Sequence, residues 1–494
     1  MMSIVLGIDI GTQSVKAVVY DGENKACVAA ASSPLDMLQK DEGIAEQLTE
    51  WWVAALQKAL HQIDQKIRKK VSAIGVSGQQ HGFVPLSDSH EVLAPVKLWC
   101  DTSTIKECDS IMSAFGGIDA CINRIGNPVL PGYTASKIRW FRDNEPVSYK
   151  RMATILLPHD YINLYLTGET CMEAGDASGT GFLNIFTRQW SREMLQAIDP
   201  MRDLSECLPS IELENTPIGS LLPRVASELG LPENIPVSIG GGDNMMAAVG
   251  TGNVEPGVIT MSLGTSGTVY GFSETPIVDP EGEFAGFCSS TGGWLPLVCT
   301  MNCTGATELL RNLFEIDLEG FELCLNKSTP GAEGLTTIPF FTGERTPNLP
   351  NAKACLLGLD KQNTGTNNIL RSAVEGVTYG LKYGLGRLAD HSVRAERIIL
   401  TGGGAKSDVW RQIVADICDA PVEMHQQEEG AAFGAALQAL AMLEETELTS
   451  LIKEHLDRDS TRCCEPDPST VTFYDEGYFQ YRQSVEQIAS IYGN

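Results

Sequence analysis

The chain writes one short unit twice, about half its length apart. In IVLGIDIGTQSVKAVVYD, residues 4 to 21, an apolar strand holding a single aspartate enters the polar turn TQS and leaves as a second strand. In VITMSLGTSGTVYGF, residues 258 to 272, a strand, a glycine-threonine turn and a second strand follow in the same order. Each reads as a β-hairpin with a polar tip. Amphipathic segments lie between them, so the expected fold is a duplicated α/β architecture in which each copy lends one turn to a shared cleft. With 494 residues, 43% of them hydrophobic, the chain exceeds the ~250 to 300 residues at which a single core stops growing. Two domains of similar size are expected, and the turn-rich stretch TGNVEPGV at 251 to 258 places their boundary between residues 1–251 and 252–494.

The helical pattern is clear at two places. Trp52, Leu56, Ala59, Leu60, Ile63 and Ile67 recur at spacings of three and four, as do Ile369, Leu370, Ala373, Val374, Val377, Leu381, Leu385 and Leu388. Both read as core helices. The 63 acidic residues against 36 basic ones give a net charge of -27, which excludes nonspecific attachment to nucleic acid or to an anionic membrane. A small partner is expected, and any phosphate on it has to be held by local backbone donors, a helix N-terminus or a metal ion. The 14 cysteines form no CxxC pair, and Cys463 with Cys464 reads as two reduced thiols, a redox switch being the alternative. No apolar run approaches the ~18 residues of a membrane span and no basic leader opens the chain, so a cytoplasmic location is expected.

Chemistry-bearing residues sit where strands end. Asp9 lies inside an apolar strand, a costly place for a carboxylate without compensation. It reads either as a structural aspartate bonded to turn amides or as a Mg²⁺ site, since Mg²⁺ takes one or two carboxylates with water and phosphate oxygens. The turn Gly11, Thr12, Gln13, Ser14 can cradle phosphate, and SLGTSGT at 262 to 268 is its weaker counterpart, strengthened by the pairing. LTGGGAKSDVWRQIVADICDAPV, residues 400 to 422, ends a strand in three glycines that let a flat ring or a sugar approach the backbone, while Ser407 or Asp408 also suits a helix cap. It matches neither a dinucleotide fingerprint nor a Walker A loop.

In SIGGGDNMMAAVG, residues 238 to 250, Asp243 and Asn244 follow three glycines at the start of an alanine-rich helix. An N-cap needs fewer glycines, so Asp243 is expected to be a general base that receives a hydroxyl proton. GVSGQQHGFVPL, residues 75 to 86, offers Gln79, Gln80 and His81 to a polyol, although His81 also reads as an interior histidine.

Taken in order, these segments resemble the FGGY carbohydrate kinases over nearly the whole chain. GIDIGTQSVK is similar to the family's first phosphate motif, SLGTSGT to its second, GGGAKSDVWRQIVAD to its adenosine motif, and GYTASKIRWFRDN at 132 to 144 to the signature around a lysine and a tryptophan. GERTPNLPNAKACLLGL at 343 to 359 and EEGAAFGAALQAL at 428 to 440 resemble segments of the second domain. The resemblance implies two actin-like, ribonuclease H-like α/β domains with a nucleotide and sugar cleft between them. It implies Asp243 as catalytic base, Asp9 as the Mg²⁺-associated aspartate, Thr12, Gln13 and Ser14 with Gly264 and Thr265 as phosphate turns, and Gly404 and Asp408 as adenosine contacts. Gln80, His81, Asp243 and Asn244 become the sugar contacts. GNPVLPGYTASK, LPHDYINLYLTGE, GDASGTGFLNI and GQQHG are closest to members that use ATP and Mg²⁺ to phosphorylate D-xylulose. Gln80 departs from that pattern, standing where many such members carry methionine, and LWCDTST at 98 to 104 lacks their usual arginine. Ribulose, gluconate and glycerol are the alternative substrates, an actin-like nucleotide switch is the rival from another class, and a homodimer is among the assemblies left open.

Overall fold

The computed structural model describes residues 3–40, 43–212, 215–427 and 430–492. Two mixed sheets dominate it. In the first, β1 (Ile4–Ile10) pairs antiparallel with β2 (Ser14–Asp21), which pairs with β3 (Ala26–Pro34), while β4 (Ala73–Gly78) runs parallel to β1 on its other side. The two-residue strands β5 (Gly219–Ser220), β6 (Pro236–Val237) and β7 (Gly241–Gly242) complete it, with β6 and β7 both parallel to β4.

The second sheet repeats this plan. β8 (Val258–Leu263) and β9 (Gly267–Gly271) form the second hairpin, β11 (Trp294–Thr300) pairs antiparallel with β9, and β12 (Arg397–Thr401) lies parallel to β8, with β13 (Val422–Glu423) beyond it. β10 (Ala285–Cys288) closes the far edge against β11. The expected duplication is thus present strand for strand in its central five positions. β1 is buried along its length except at Asp9, as a strand covered on both faces requires.

The first helical pattern divides. α1 (Thr49–Gln62) buries Trp52, Leu56, Ala59 and Leu60 as expected, but the chain turns extended at Ile63. Asp64 then caps a separate short helix, α2 (Gln65–Arg68), by accepting from Lys66 N at 2.7 Å, and Ile67 belongs to that second helix. Further helices enter below: α3 (Thr134–Asn144), α4 (Pro158–Thr167), α5 (Ala174–Ala177), α6 (Asp243–Thr251) and α7 (Thr304–Leu313). The second pattern is one helix, α8 (Thr366–Asp390).

Each sheet has its own apolar core, one built around Leu6, Ile8, Ile74 and Val76 and the other around Ile259, Met261, Val377 and Ile398. A third cluster crosses the expected boundary. α9 (Asp408–Cys418) stays with the second sheet, but α10 (Gly430–Leu443), late in the chain, packs Phe433, Ala435, Ala436, Leu437 and Leu440 with Val5, Tyr20 and Ala73 of the first sheet and with Met246 and Val249 of α6. α10 thus packs on the first sheet although it follows residue 252 in the chain, and we propose the 251/252 boundary for the connection in sequence. Glu428 and Glu429, named above, lie outside the described residues. All 14 cysteines are free thiols, Cys463 and Cys464 included. Among the described residues no helix is long and apolar enough to cross a membrane.

Candidate active site

Strand register assembles the centre. Asp9 on β1 lies opposite Ser77 on β4, and Ser77 lies opposite Gly241 on β7, so three parallel strands bring their carboxyl ends side by side. Open α/β sheets bind ligands at such ends. Ser77 Oγ donates to Asp9 Oδ1 at 2.8 Å, and the hairpin ladder beyond closes at Ile10 and Val15, leaving the Gly11–Ser14 turn projecting past it. Within that turn Gln13 is exposed and Ser14 half-buried. Thr12 faces inward: its hydroxyl donates to Gln79 Oε1 at 3.0 Å and accepts from Trp99 Nε1 at 2.9 Å, and its carbonyl accepts from Gln47 Nε2 at 2.8 Å.

The three glycines before Asp243 each admit something different. Gly240 has a φ of +78°, a left-handed conformation that favours glycine. A Cβ on Gly241 would stand 2.9 Å from both Glu173 Oε1 and Ser290 Oγ, and one on Gly242 would stand 2.9 Å from Gln80 Cγ and 3.1 Å from Asp176 Oδ1. The glycines thus draw the protein's own polar side chains towards the carboxylate. From α10, Gln438 grips the same loop, accepting from Gly240 N at 2.8 Å and from Ser238 Oγ at 2.9 Å while donating to Gly240 O at 3.1 Å.

Asp243 opens α6, and its Oδ1 accepts from Asn244 N at 2.8 Å and from Asn244 Nδ2 at 3.0 Å. Burial first, and then the nearby Asp9 and Asp176 carboxylates, push Asp243 up to about 8 despite those two bonds. Asn244 Nδ2 also donates to Gln80 Oε1 at 3.0 Å, which joins two of the expected sugar contacts to the expected base.

His81 holds a left-handed φ of 67°, and its carbonyl accepts from Thr134 Oγ1 at 3.1 Å and from Lys137 Nζ at 2.6 Å, both on α3. Burial, and then the Lys137 and Arg345 cations, hold the ring well below the usual histidine range, so it is neutral. Its ring lies 4.8 Å from Tyr133 and 5.7 Å from Phe287, the latter contributed by β10. First-half and second-half side chains therefore meet over this wall.

The second-half residues form their own group. Gly264 and Thr265 occupy the β8–β9 turn, whose carbonyls accept from Thr304 N at 2.8 Å and from Cys303 N and Gly305 N at 3.1 Å at the start of α7. Beside them Gly404 is buried, with Leu263 and Trp410 at its back, whereas a Cβ on Gly403 would meet nothing within 4 Å. Asp408 is 84% exposed and pairs with Arg411, while Ser407 supplies the cap, accepting from Trp410 N at 3.0 Å. The structure brings Asp9, Gln80, Asp243 and Asn244 together in one group and Gly264, Thr265 and Gly404 in another.

Residues 4–250 match the N-terminal domain, and residues 259–443 the C-terminal domain, of the FGGY family of carbohydrate kinases. The chain belongs to that family. Among curated relatives, a xylulose kinase of Haemophilus influenzae is 42% identical, covering 98% of this chain and 99% of its own. One of Streptomyces coelicolor is 35% identical, covering 89% of this chain and 88% of its own. A solved structure from Brucella ovis, described as a xyloylose kinase, superposes with a TM-score of 0.91 at 28% identity, covering 99% of this chain and 100% of the other. The fold is accordingly the two-domain ribonuclease H-like, actin-like class expected of FGGY kinases.

Glu173, His159, Asp160 and Asp176 of this FGGY kinase's centre went unread as functional in the sequence, and Lys137 was noted only as the lysine of a family signature. Lys137, which burial pushes down to about 7, holds the His81 carbonyl. Glu173 caps α5 through Gly175 N at 2.6 Å and Asp176 N at 2.8 Å. Behind the glycine loop, His159 Nδ1 bonds Asp176 Oδ2 at 2.7 Å, and His159 Nε2 lies 2.9 Å from Asp160 Oδ1. Burial opposes charge on His159, but Asp160 and Asp176 outweigh it and hold the ring well above the usual histidine range. The available signal was an ionisable residue among small or apolar neighbours, in LPHDY and GDASG.

Proposed function

We propose that this chain transfers the terminal phosphoryl group of ATP to the 5-hydroxyl of D-xylulose, with Asp243 accepting the proton. The observation that carries the reading is the Asp243 carboxylate at the carboxyl ends of three parallel strands, bonded through Asn244 to Gln80 and raised to about 8. A base with that affinity holds a hydroxyl proton close to neutral pH, where transfer is efficient. Full-length similarity to xylulose kinases supports the sugar. It also supports a cytoplasmic enzyme, where ATP is at hand.

The donor set suits Mg²⁺. Asp9, held by Ser77, supplies one carboxylate at the edge of the cleft, and among the described residues no group of three or more acidic, histidine or thiol ligands forms there, which leaves the remaining positions to water and phosphate oxygens. Bound there, the ion would neutralise charge on the transferring group. The chain's own work is positioning. Gln80, Asn244 and neutral His81 orient the sugar, the Gly11–Ser14 and Gly264–Ser266 turns hold phosphate, and closure of the halves excludes water.

Asp243→Ala should retain D-xylulose binding by calorimetry and lose about 10² to 10⁴-fold in turnover. Near-normal turnover rules out the base, and a kinetic screen in which ribulose, gluconate or glycerol outperforms D-xylulose rules out the sugar.

A further inference from the structure

Of the buried polar atoms around the catalytic loop that lack a hydrogen-bond partner among the described residues, two face the same glycine and have complementary polarities. Asp176 Oδ1 is an acceptor and Gln80 Nε2 a donor. An unmade bond of this kind inside a protein leaves each group desolvated without compensation. Both side chains approach the same point: the place a Cβ on Gly242 would occupy lies 3.1 Å from Asp176 Oδ1 and 2.9 Å from Gln80 Cγ. Only a hydrogen stands there, and Gly242 has ordinary backbone angles, φ −64° and ψ 153°, so its glycine is required by space and not by conformation.

The atoms on either side are already committed. Asp176 Oδ2 is fixed by His159, and Glu173 fixes the Asp176 backbone. Gln80 Oε1 accepts from Asn244, which bonds Asp243. One link, Gln80 Nε2 to Asp176 Oδ1, would make a continuous chain from His159 through Asp176, Gln80 and Asn244 to the base.

We propose that Asp176 is a positioning residue for this kinase: anchored by His159, it receives the Gln80 amide across Gly242 and so fixes Gln80, Asn244 and the Asp243 carboxylate in the geometry that accepts the sugar proton. The inference rests on Asp243 as the base. The charged groups around the link are His159 and Asp160 on α4, Glu173 before α5, Asp243 on α6 and Asp9 on β1, so the pair sits in an acidic setting with one imidazolium.

The test reverses the polarity of the link. Asp176→Asn leaves two amides facing one another and Gln80→Glu leaves two carboxylates; each should lose about 10 to 10² in kcat, the cost of a small misplacement at a reacting centre, with a lesser change in D-xylulose KM. Asp176→Asn with Gln80→Glu restores one donor and one acceptor at unchanged net charge, keeps an acceptor for Asn244, and should regain most of the lost turnover. A double variant no faster than its poorer single variant overturns the proposal. Should Asp176→Asn fail to fold, Gly242→Ala and Gln80→Met, which leave the Asp176–His159 pair whole, decide the matter. Both cut one link, so their combined loss should equal the larger single loss, and losses that multiply, or turnover undiminished in both, overturn it. Failure of the base assignment is separate, since it shows as normal turnover in Asp243→Ala.

Discussion

Asp243 is kept where a carboxylate is expensive. Its folded-state affinity near 8, against an ordinary 3.8, means the folded protein retains a proton that the unfolded chain releases between those values. That contribution to stability is present in acid and is lost as pH rises through the window. Asp243→Asn removes the cost, so its melting temperature should exceed that of the parent by a margin that widens from pH 4 to pH 8, followed by thermal denaturation; a constant margin contradicts the buried, repelled carboxylate. Asp243 was legible because three glycines in a row announce crowding. What crowds the loop before it was not, because Gln80, Glu173 and Asp176 are far from residue 243 in sequence: the β4–β7 register brings Gln80 there, and the packing of α5 against β7 brings Glu173 and Asp176. His81 could be read either way from sequence, and its left-handed backbone and the Lys137 grip on its carbonyl are tertiary facts.

Among elements, glycines mark where backbones touch. A Cβ on Gly434 of α10 would overlap Met246 O of α6, and one on Gly7 of β1 would overlap Ala432 O. Gly434→Ala should cost about 3 kcal/mol or more, read from the urea midpoint, since neither helix can yield without disturbing the sheet beneath. Gly403 is the contrast. A methyl group there meets only open space, so Gly403→Ala should leave the urea midpoint unchanged while raising the KM for ATP, if the flat ring approaches this backbone. Periodicity disclosed α1 and α8 because a buried stripe is a local signal. It missed the break at Ile63, because the Asp64 side chain that starts α2 competes with helix continuation through a bond that apolar spacing does not register.

The molecule as a whole carries a net charge of -27 and acts on a polyanion. Its general field opposes nucleotide approach, so the KM for ATP should fall as ionic strength rises from about 0.01 to 0.15 M and the Debye length shrinks from roughly 30 to 8 Å. A KM that rises instead would place a dominant local positive field at the cleft. The duplicated plan was readable from two hairpins, since strand–turn–strand units need only local pattern. The crossing of α10 to the first sheet was not, because GAAFGAALQALAML is equally apolar whichever sheet it covers. That crossing bears on biosynthesis. The ribosome finishes every strand of the first sheet long before it reaches residue 443, so a nascent chain carries an uncovered strip at Val5, Ala73, Met246 and Val249 from the completion of α6 at Thr251 until α10 ends at Leu443. Chaperone demand during synthesis, and clumping of prematurely terminated products, should track that delay.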